Sequence, residues 1–375
     1  MPSKAFSLSL ILSFLWTTVL ASTACNNSPD LCSRSYSNIT HLGAHDSAFV
    51  RDASTADFIG GDQYYNATRA LSAGVRLLSA QVHNSSGEWH LCHTSCALLD
   101  VGPLHTWLAG IKTWMDDNPN DVVTILLVNS DSATASDLNG EFVKANISDY
   151  GYTPPSSSKA LDTWPTLQSL ISKNTRLVTF IASLDPSSNT VAPYLLDEFT
   201  FVWENPYDVT SLNNFSCVPD RPTSVKGNTA AALSSGRLPL MNHFLYSKEI
   251  LGIEVPDTGN LSTTNAPSGA TGNLGDTATG CADTWGRAPT FILVDFFNVG
   301  PAIESVDKLN GITATGRTSV PSTNASPDSD SAEASSSSSA SISSASKLSS
   351  ASVAPPTLFP CLAASLLLIF VSSMR

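Results

Sequence analysis

His41-Leu42-Gly43-Ala44-His45-Asp46-Ser47 decides how the rest of this chain is read. The residues before it, around Asn38-Ile39-Thr40, form a short apolar run that reads as a strand ending in a small-residue turn. A histidine and an aspartate then stand side by side where strand gives way to loop. In barrels of alternating strands and helices, that end of a strand houses the chemistry. A solvated loop with an incidental His-Asp pair would look the same from this stretch alone. The segment beginning near Leu71 separates the two readings, because it supplies a second histidine in a comparable setting.

Working outward, residues 65–73 have helical character and Gly74 is their stop signal. Residues 75–83 read as a strand, Ser85-Ser86-Gly87 as a turn, and residues 89–93 as the next extended piece, so the two extended pieces lie side by side. Leu104, Trp107, Leu108, Ile111, Trp114 and Met115 recur at three- and four-residue spacing between Pro103 and Pro119, which predicts a helix whose aromatic stripe is core packing. Residues 121–128 form a buried Val/Ile/Leu strand. Further strands are expected at 176–182, 199–203, 238–245 and 289–294, with helices at 138–147, 167–172 and 301–309. Residues 213–237 and 256–280 read as long loops. This alternation predicts an α/β fold, a TIM-type (β/α) barrel with short or missing helices.

The two ends are not fold. Lys4 precedes an apolar run over 5–20 and then Ala21-Ser22-Thr23-Ala24, the pattern of a secretory signal peptide over 1–24; a retained anchor is the alternative, for which the run is short. Residues 25–312 are the expected barrel and 313–350 a Ser/Thr-rich stalk that cannot bury a core. Residues 351–375 combine small residues, a spacer and a greasy tail, the pattern of a GPI-attachment signal removed on maturation; a C-terminal span is the alternative, with Arg375 a weak flank. The expected location is therefore the cell exterior, GPI-anchored to the outer leaflet. Cysteine usage agrees: apart from Cys361 the set is even, and the expected pairs are Cys25–Cys32 and Cys92–Cys96 as sequence neighbours, then Cys217–Cys281 by elimination. N-x-S/T acceptors at Asn26, Asn38, Asn66, Asn84, Asn146, Asn214, Asn260 and Asn324 suit a glycosylated exterior. A formal charge of -13 argues against nucleic acid and against electrostatic docking on anionic lipid.

His45, Asp46, His93 and Asp295 all fall at or just after predicted strand ends, on one rim of the barrel. Two histidines and two aspartates there suit general acid-base work near neutral pH, with a carboxylate beside each imidazole to fix its tautomer. His90, Cys92, His93 and Cys96 also have zinc-like spacing, against which the short disulfide competes. His243 reads as a core histidine, with a strand end facing the same mouth as the alternative, and Asp100 and His105 read as capping or surface groups.

Taken together, the GAHDS loop, Gly74-Val75-Arg76-Leu77-Leu78, Leu91-Cys92-His93, the helix ending Asp117-Asn118-Pro119-Asn120, and Leu293-Val294-Asp295 resemble the X domain of phosphatidylinositol-specific phospholipase C. Within it, the chain looks like the secreted, GPI-anchored branch of PLC-like phosphodiesterases. The resemblance covers roughly residues 41–310 and matches in order and spacing over 74–127. It implies His45 as general base on an inositol hydroxyl with Asp295 orienting it, and His93 as general acid with Asp46 supporting it. The implied reaction is intramolecular phosphoryl transfer to a cyclic phosphate, with no metal and no other cofactor, as in the bacterial type.

The chain also departs from the family. Where the family has an acidic residue and then an arginine, or a second acidic residue in its calcium-dependent branch, this chain has Ser79 and Gln81. The family's inositol-binding lysine and arginine fall near Val128 and Ala182. Gln81, Glu204 and Tyr207 are the expected substrate contacts, with Tyr207 where a tyrosine stacks on the inositol ring. Losing one preorganised charge stabiliser costs on the order of a hundred- to a thousandfold in rate. Two functions follow: a phosphoric diester hydrolase or lyase acting as a monomer on a phosphodiester or phospholipid-like substrate, or a catalytically silent GPI-anchored surface or cell-wall protein that uses the barrel for binding.

Overall fold

The computed structural model describes residues 24–185, 189–248 and 254–322. The expected leader, nearly all of the stalk and the attachment signal lie outside the described residues. Twelve strands are present among them: β1 His41–Ala44, β2 Leu77–Ser85, β3 Glu88–Cys92, β4 Asp100–Pro103, β5 Val123–Asn129, β6 Leu177–Ala182, β7 Leu195–Asp197, β8 Val202–Glu204, β9 Leu238–Asn242, β10 Tyr246–Lys248, β11 Glu254–Pro256 and β12 Phe291–Val294. Eight of them pair in parallel in the order β7-β6-β5-β2-β1-β12-β9-β8, a curled TIM-type sheet whose β7 and β8 do not pair with each other. β2 overshoots the sheet and carries β3 and β4 as an antiparallel extension, while β10 and β11 form a separate hairpin.

The helices are α1 Ala67–Ala73, α2 Leu104–Asp117, α3 Ala135–Lys144, α4 Leu167–Ser172, α5 Glu198–Phe201, α6 Thr229–Ser234, α7 Leu261–Thr264, α8 Leu274–Trp285 and α9 Ala302–Asn310. Three expectations are corrected. The stretch 213–237 is not all loop, since α6, capped by Asn228, lies inside it. The segment at 199–203 is not a continuous strand: the Asp197 side chain accepts from the Thr200 N–H and caps α5, so β8 starts only at Val202. The stretch 256–280 is not all loop: Asn273 caps α8, which buries Leu274, Ala278, Cys281 and Trp285 along one face. Its Gly, Thr and Ala residues hide that face from a hydrophobicity reading.

Strand periodicity splits the core in two. Leu78, Ala80, Ile125, Leu127, Ile181, Ile292 and Val294 point outward into one cluster with α1, α2 and α3. Leu77, Leu126, Val178, Phe180, Phe291 and Leu293 point inward into a second, which is plugged from the N-terminal end by Leu31, Tyr36 and Trp164. Filling the interior from that end leaves the carboxyl-terminal mouth as the open face. β1 approaches its neighbours closely at Gly43, where an added Cβ would lie 2.7 Å from Leu293 Cδ2 and 2.8 Å from Leu77 Cδ2.

The three expected disulfides form: Cys25–Cys32, Cys92–Cys96 and Cys217–Cys281. After α9 the chain stays attached to the barrel as far as Pro321, through Arg317 on Asp307, Thr318 N–H on Ser72 O, and Asn298 Nδ2 on Pro321 O. Asn26 is only 4% exposed and its side-chain oxygen accepts from Val122 N–H, so this acceptor is closed to a glycan in the folded chain. No described helix is long and apolar enough to cross a membrane.

Candidate active site

The end of β1 is bonded to its neighbours before any side chain is considered. His45 N–H donates to Val294 O at 2.9 Å, and Asp46 N–H donates to Ser79 Oγ at 2.8 Å. This turns the chain sharply and throws the His45 ring over the mouth. There His45 Nδ1 lies 2.9 Å from Asp295 Oδ1, and its ring stacks on Phe244 with centroids 3.8 Å apart and planes 8° apart. His93 arrives from β3 on the loop closed by Cys92–Cys96, with its N–H bonded to Leu99 O and Phe49 edge-on to its ring at 5.1 Å. The disulfide takes both thiolates out of the zinc alternative.

A third carboxylate joins them that sequence reasoning missed. Asp62 is fully buried, with Oδ1 3.6 Å from His45 Nδ1 and Oδ2 3.3 Å from His93 Nε2. The loop after β1 folds back to place it: Asp62 N–H donates to Phe49 O, and Phe296 N–H donates to Asp62 O. Next to it the Gln63 amide donates to His45 O and Val294 O and accepts from Phe297 N–H. Asp46, expected to support His93, lies within 4.8 Å of it; its Oδ2 takes the Gln81 amide at 2.6 Å and lies 3.8 Å from His45 Nε2. Gln81 Oε1 in turn accepts from Thr94 N–H at 2.9 Å, so Gln81 clamps the His45 loop to the His93 loop.

The remaining expected contacts divide. Gln81, Val128 and Ala182 are in register across β2, β5 and β6 and form a neutral row at the mouth. Glu204 is buried and holds Arg221 and Asn242, while the Arg221 guanidinium lies 4.4 Å above the Tyr207 ring. That face of Tyr207 is therefore covered by Arg221. His243 is a buried core histidine bonded to Thr264 O; Asp100 pairs with His90, and His105 with Glu141.

Electrostatics follow from three carboxylates around two imidazoles. Burial works against a charged His45, but Asp46, the Asp295 hydrogen bond and Asp62 outweigh it and raise its pKa to about 10. Burial likewise disfavours the charged form of His93, yet Asp62 and then Asp46 hold it above the ordinary value. Burial pushes the Asp62 carboxyl up to about 7 against the pull of His93, and Asp295 is raised by burial as well. Two groups, His45 with Asp62 and Asp295, and Asp46 with Asp62 and His93, have side-chain atoms within 4.8 Å of one another. Distance alone would allow a cation there, and a protonated imidazole would supply positive charge at the same place.

Each loop also carries backbone strain beside its site residue. Asp46, Thr94 and Phe296 have φ of 42°, 62° and 44°, a left-handed region that a bulky residue such as Phe rarely enters. Two cavities lie elsewhere: one of about 260 Å³ at the N-terminal floor by Arg34 and Asn310, and one of about 480 Å³ on the flank between Tyr65 and Trp114. Neither is lined by a histidine or by any of Asp46, Asp62 and Asp295, so the mouth is singled out by its chemistry and not by its volume.

Known proteins place the fold and the family. At 13% identity, a TM-score of 0.51 relates the fold to the phosphatidylinositol-specific phospholipase C from Listeria monocytogenes, over 74% of this chain and 95% of that one. The chain is 38% identical over 301 residues to an uncharacterized secreted protein of Arthroderma benhamiae, covering 78% of this chain and 65% of the relative's length. It is 36% identical over 290 residues to PI-PLC X domain-containing protein 1 of the same fungus, over 77% of this chain and 90% of that protein. The family model described as PI-PLC X 1 matches residues 31–310. With His45, His93 and Asp295 inside that span, the chain belongs to the PI-PLC X domain family.

Proposed function

We propose that this protein is an extracellular phosphodiesterase of the phospholipase C type, with His45 and His93 as its base-acid pair. The observation that carries the reading is the convergence of His45 on Asp295 at 2.9 Å and His93 on Asp62 at 3.3 Å at one strained mouth. His45 Nε2 removes the proton of a hydroxyl on the substrate as that oxygen bonds to phosphorus. The leaving oxygen departs with a proton from His93, and the phosphoryl group is left as a cyclic diester. Asp295 holds the His45 tautomer, and Asp46 faces its working nitrogen. The secreted relative and the leader-like run at 5–20 support export, and the C-terminal pattern supports GPI attachment.

The neutral row Gln81, Val128 and Ala182 gives a polyol headgroup few polar partners, so the preferred substrate is a phosphodiester other than phosphatidylinositol. A second reading, a silent binding protein, is favoured by one observation: among the described residues, no Lys or Arg pairs with Asp46, Asp62 or Asp295. A panel of phosphodiesters assayed in the presence of a chelator decides between them. Turnover that falls about a hundredfold or more in both His45→Ala and His93→Ala supports the enzyme. No turnover on any member, or turnover indifferent to both substitutions, supports the silent reading.

A further inference from the structure

Among the described residues, Asp62 is the carboxylate that forms ion pairs with both imidazoles; Asp46 and Asp295 pair with His45, and Asp46 also lies within 4.8 Å of His93. The Asp62 side chain has no exposed surface, so it cannot touch a substrate and acts only through the two rings. Neither carboxylate oxygen has a hydrogen-bond partner of good geometry, although both are fully buried. A buried carboxylate left in that state is expensive for the fold unless a charge it contacts compensates for it.

The contacts also assign the working nitrogens. Asp62 takes the Nε2 side of His93, leaving Nδ1, which has only the Thr94 hydroxyl at 3.3 Å. Asp295 and Asp62 share the Nδ1 side of His45, leaving Nε2 toward Asp46. We infer that Asp62 is a shared counter-ion, a positioning residue that keeps contact with the positive charge as that charge passes from one ring to the other. This rests on the base-acid reading proposed above. In the transfer, the His93 Nδ1–H bond breaks toward the leaving oxygen and a His45 Nε2–H bond forms with the hydroxyl proton. The pair loses one proton and gains one, so its charge moves but does not change. With Asp62 3.3 Å from one ring and 3.6 Å from the other, the ion pair survives both ends of the step and no buried charge is stranded. The charged and titratable groups facing this set are His45, His93, Asp46, Asp295 and the phenol of Tyr246, which lies within the field of the three aspartates.

Titrating the imidazoles of the full chain by NMR tests this without any substrate. In Asp62→Asn both rings should lose their protons at lower pH, each by roughly one unit or more; movement of one ring alone, or of neither, overturns the shared role. In wild-type protein labelled at the aspartate carboxyl carbons, the Asp62 signal should respond at both imidazole transitions. That measurement stands even where Asp62→Asn does not fold, and a response at a single transition overturns the inference equally. On an active substrate, Asp62→Asn should lower turnover about a hundredfold and move both limbs of the pH profile together, with Asp62→Glu recovering part of the loss. Limbs that stay in place would mean a structural role only. Both rings shifting in a protein that turns over no phosphodiester would sink the proposed reaction and leave the counter-ion standing.

Discussion

The floor and the mouth of this barrel both bury charge, and they treat it in opposite ways. At the floor, Arg76 directs Nε, Nη1 and Nη2 to Asp121, Leu71 O, Val75 O and Asn27, and its neighbour Arg176 reaches Met115 O, Asn118 O and Asn174. At the mouth, both oxygens of Asp62 and one of Asp295 have no hydrogen-bond partner, and the backbone beside three of the site residues is left-handed. A satisfied buried ion serves the fold. Unsatisfied carboxylates held against imidazoles raise pKa values and keep protons in play, at a cost to stability. The same division between the two faces runs through barrels of this architecture.

The largest effect should come from spoiling the satisfied end. Arg76→Ala strands Asp121 and three carbonyl or amide acceptors, and should lower unfolding stability by ~3–5 kcal/mol in denaturant melts. The positions of the limbs in any pH–rate profile should not move. A loss below about 1 kcal/mol would show that the floor is not organised around this ion.

The mouth should instead reveal itself through pH. His45 binds its proton more tightly folded, with a pKa of about 10, than at its ordinary value of 6.5. Its stabilising contribution is therefore fully present below about 6.5 and is lost as pH rises through 10. Asp62 acts with the same sign at lower pH, since its carboxyl keeps a proton up to about 7 in the fold against 3.8 ordinarily. Thermal melts should show stability declining from neutral to alkaline pH, and His45→Gln should flatten the alkaline part of that decline. An equally steep alkaline decline in the variant would place the excess protons elsewhere.

A smaller effect sharpens the comparison inside the mouth itself. Gln81→Arg supplies the missing positive charge and still donates to Asp46, but it can no longer accept from Thr94 N–H. The Cys92–Cys96 disulfide keeps its hold on the loop, so the charge should dominate and turnover on a phosphodiester should rise about tenfold. A fall would mean that the clamp, and not the charge, limits the rate.

Much of this was legible in the chain. Strand ends announced His45 and Asp295, the neighbouring cysteines announced the loop under His93, and strand alternation announced the barrel interior. Asp62 was not legible. It lies well beyond His45 in a loop without periodicity, and it reaches the site only because that loop folds back onto Phe49 and Phe296. The Gly60-Gly61-Asp62-Gln63 sequence was its one local signal, since Gly61 closes on Arg51 with a prospective Cβ contact of 3.0 Å. Arg221 was invisible for the same reason: only the three-dimensional fold brings it over Tyr207 and onto Glu204. Hydrophobic periodicity finds elements, whereas loop-borne polar contacts depend on where the elements send the chain.

The pH dependence of kcat/KM on an active phosphodiester, measured with chelator present, tests the central claim most directly. Both imidazoles are held above the ordinary histidine value of 6.5, so the account predicts a bell with both limbs on the alkaline side of that value. His45→Gln should remove the bell along with about a hundredfold or more of the rate. A profile with a limb at the ordinary histidine value, or one that His45→Gln leaves intact, would contradict the assignment of proton transfer to the mouth.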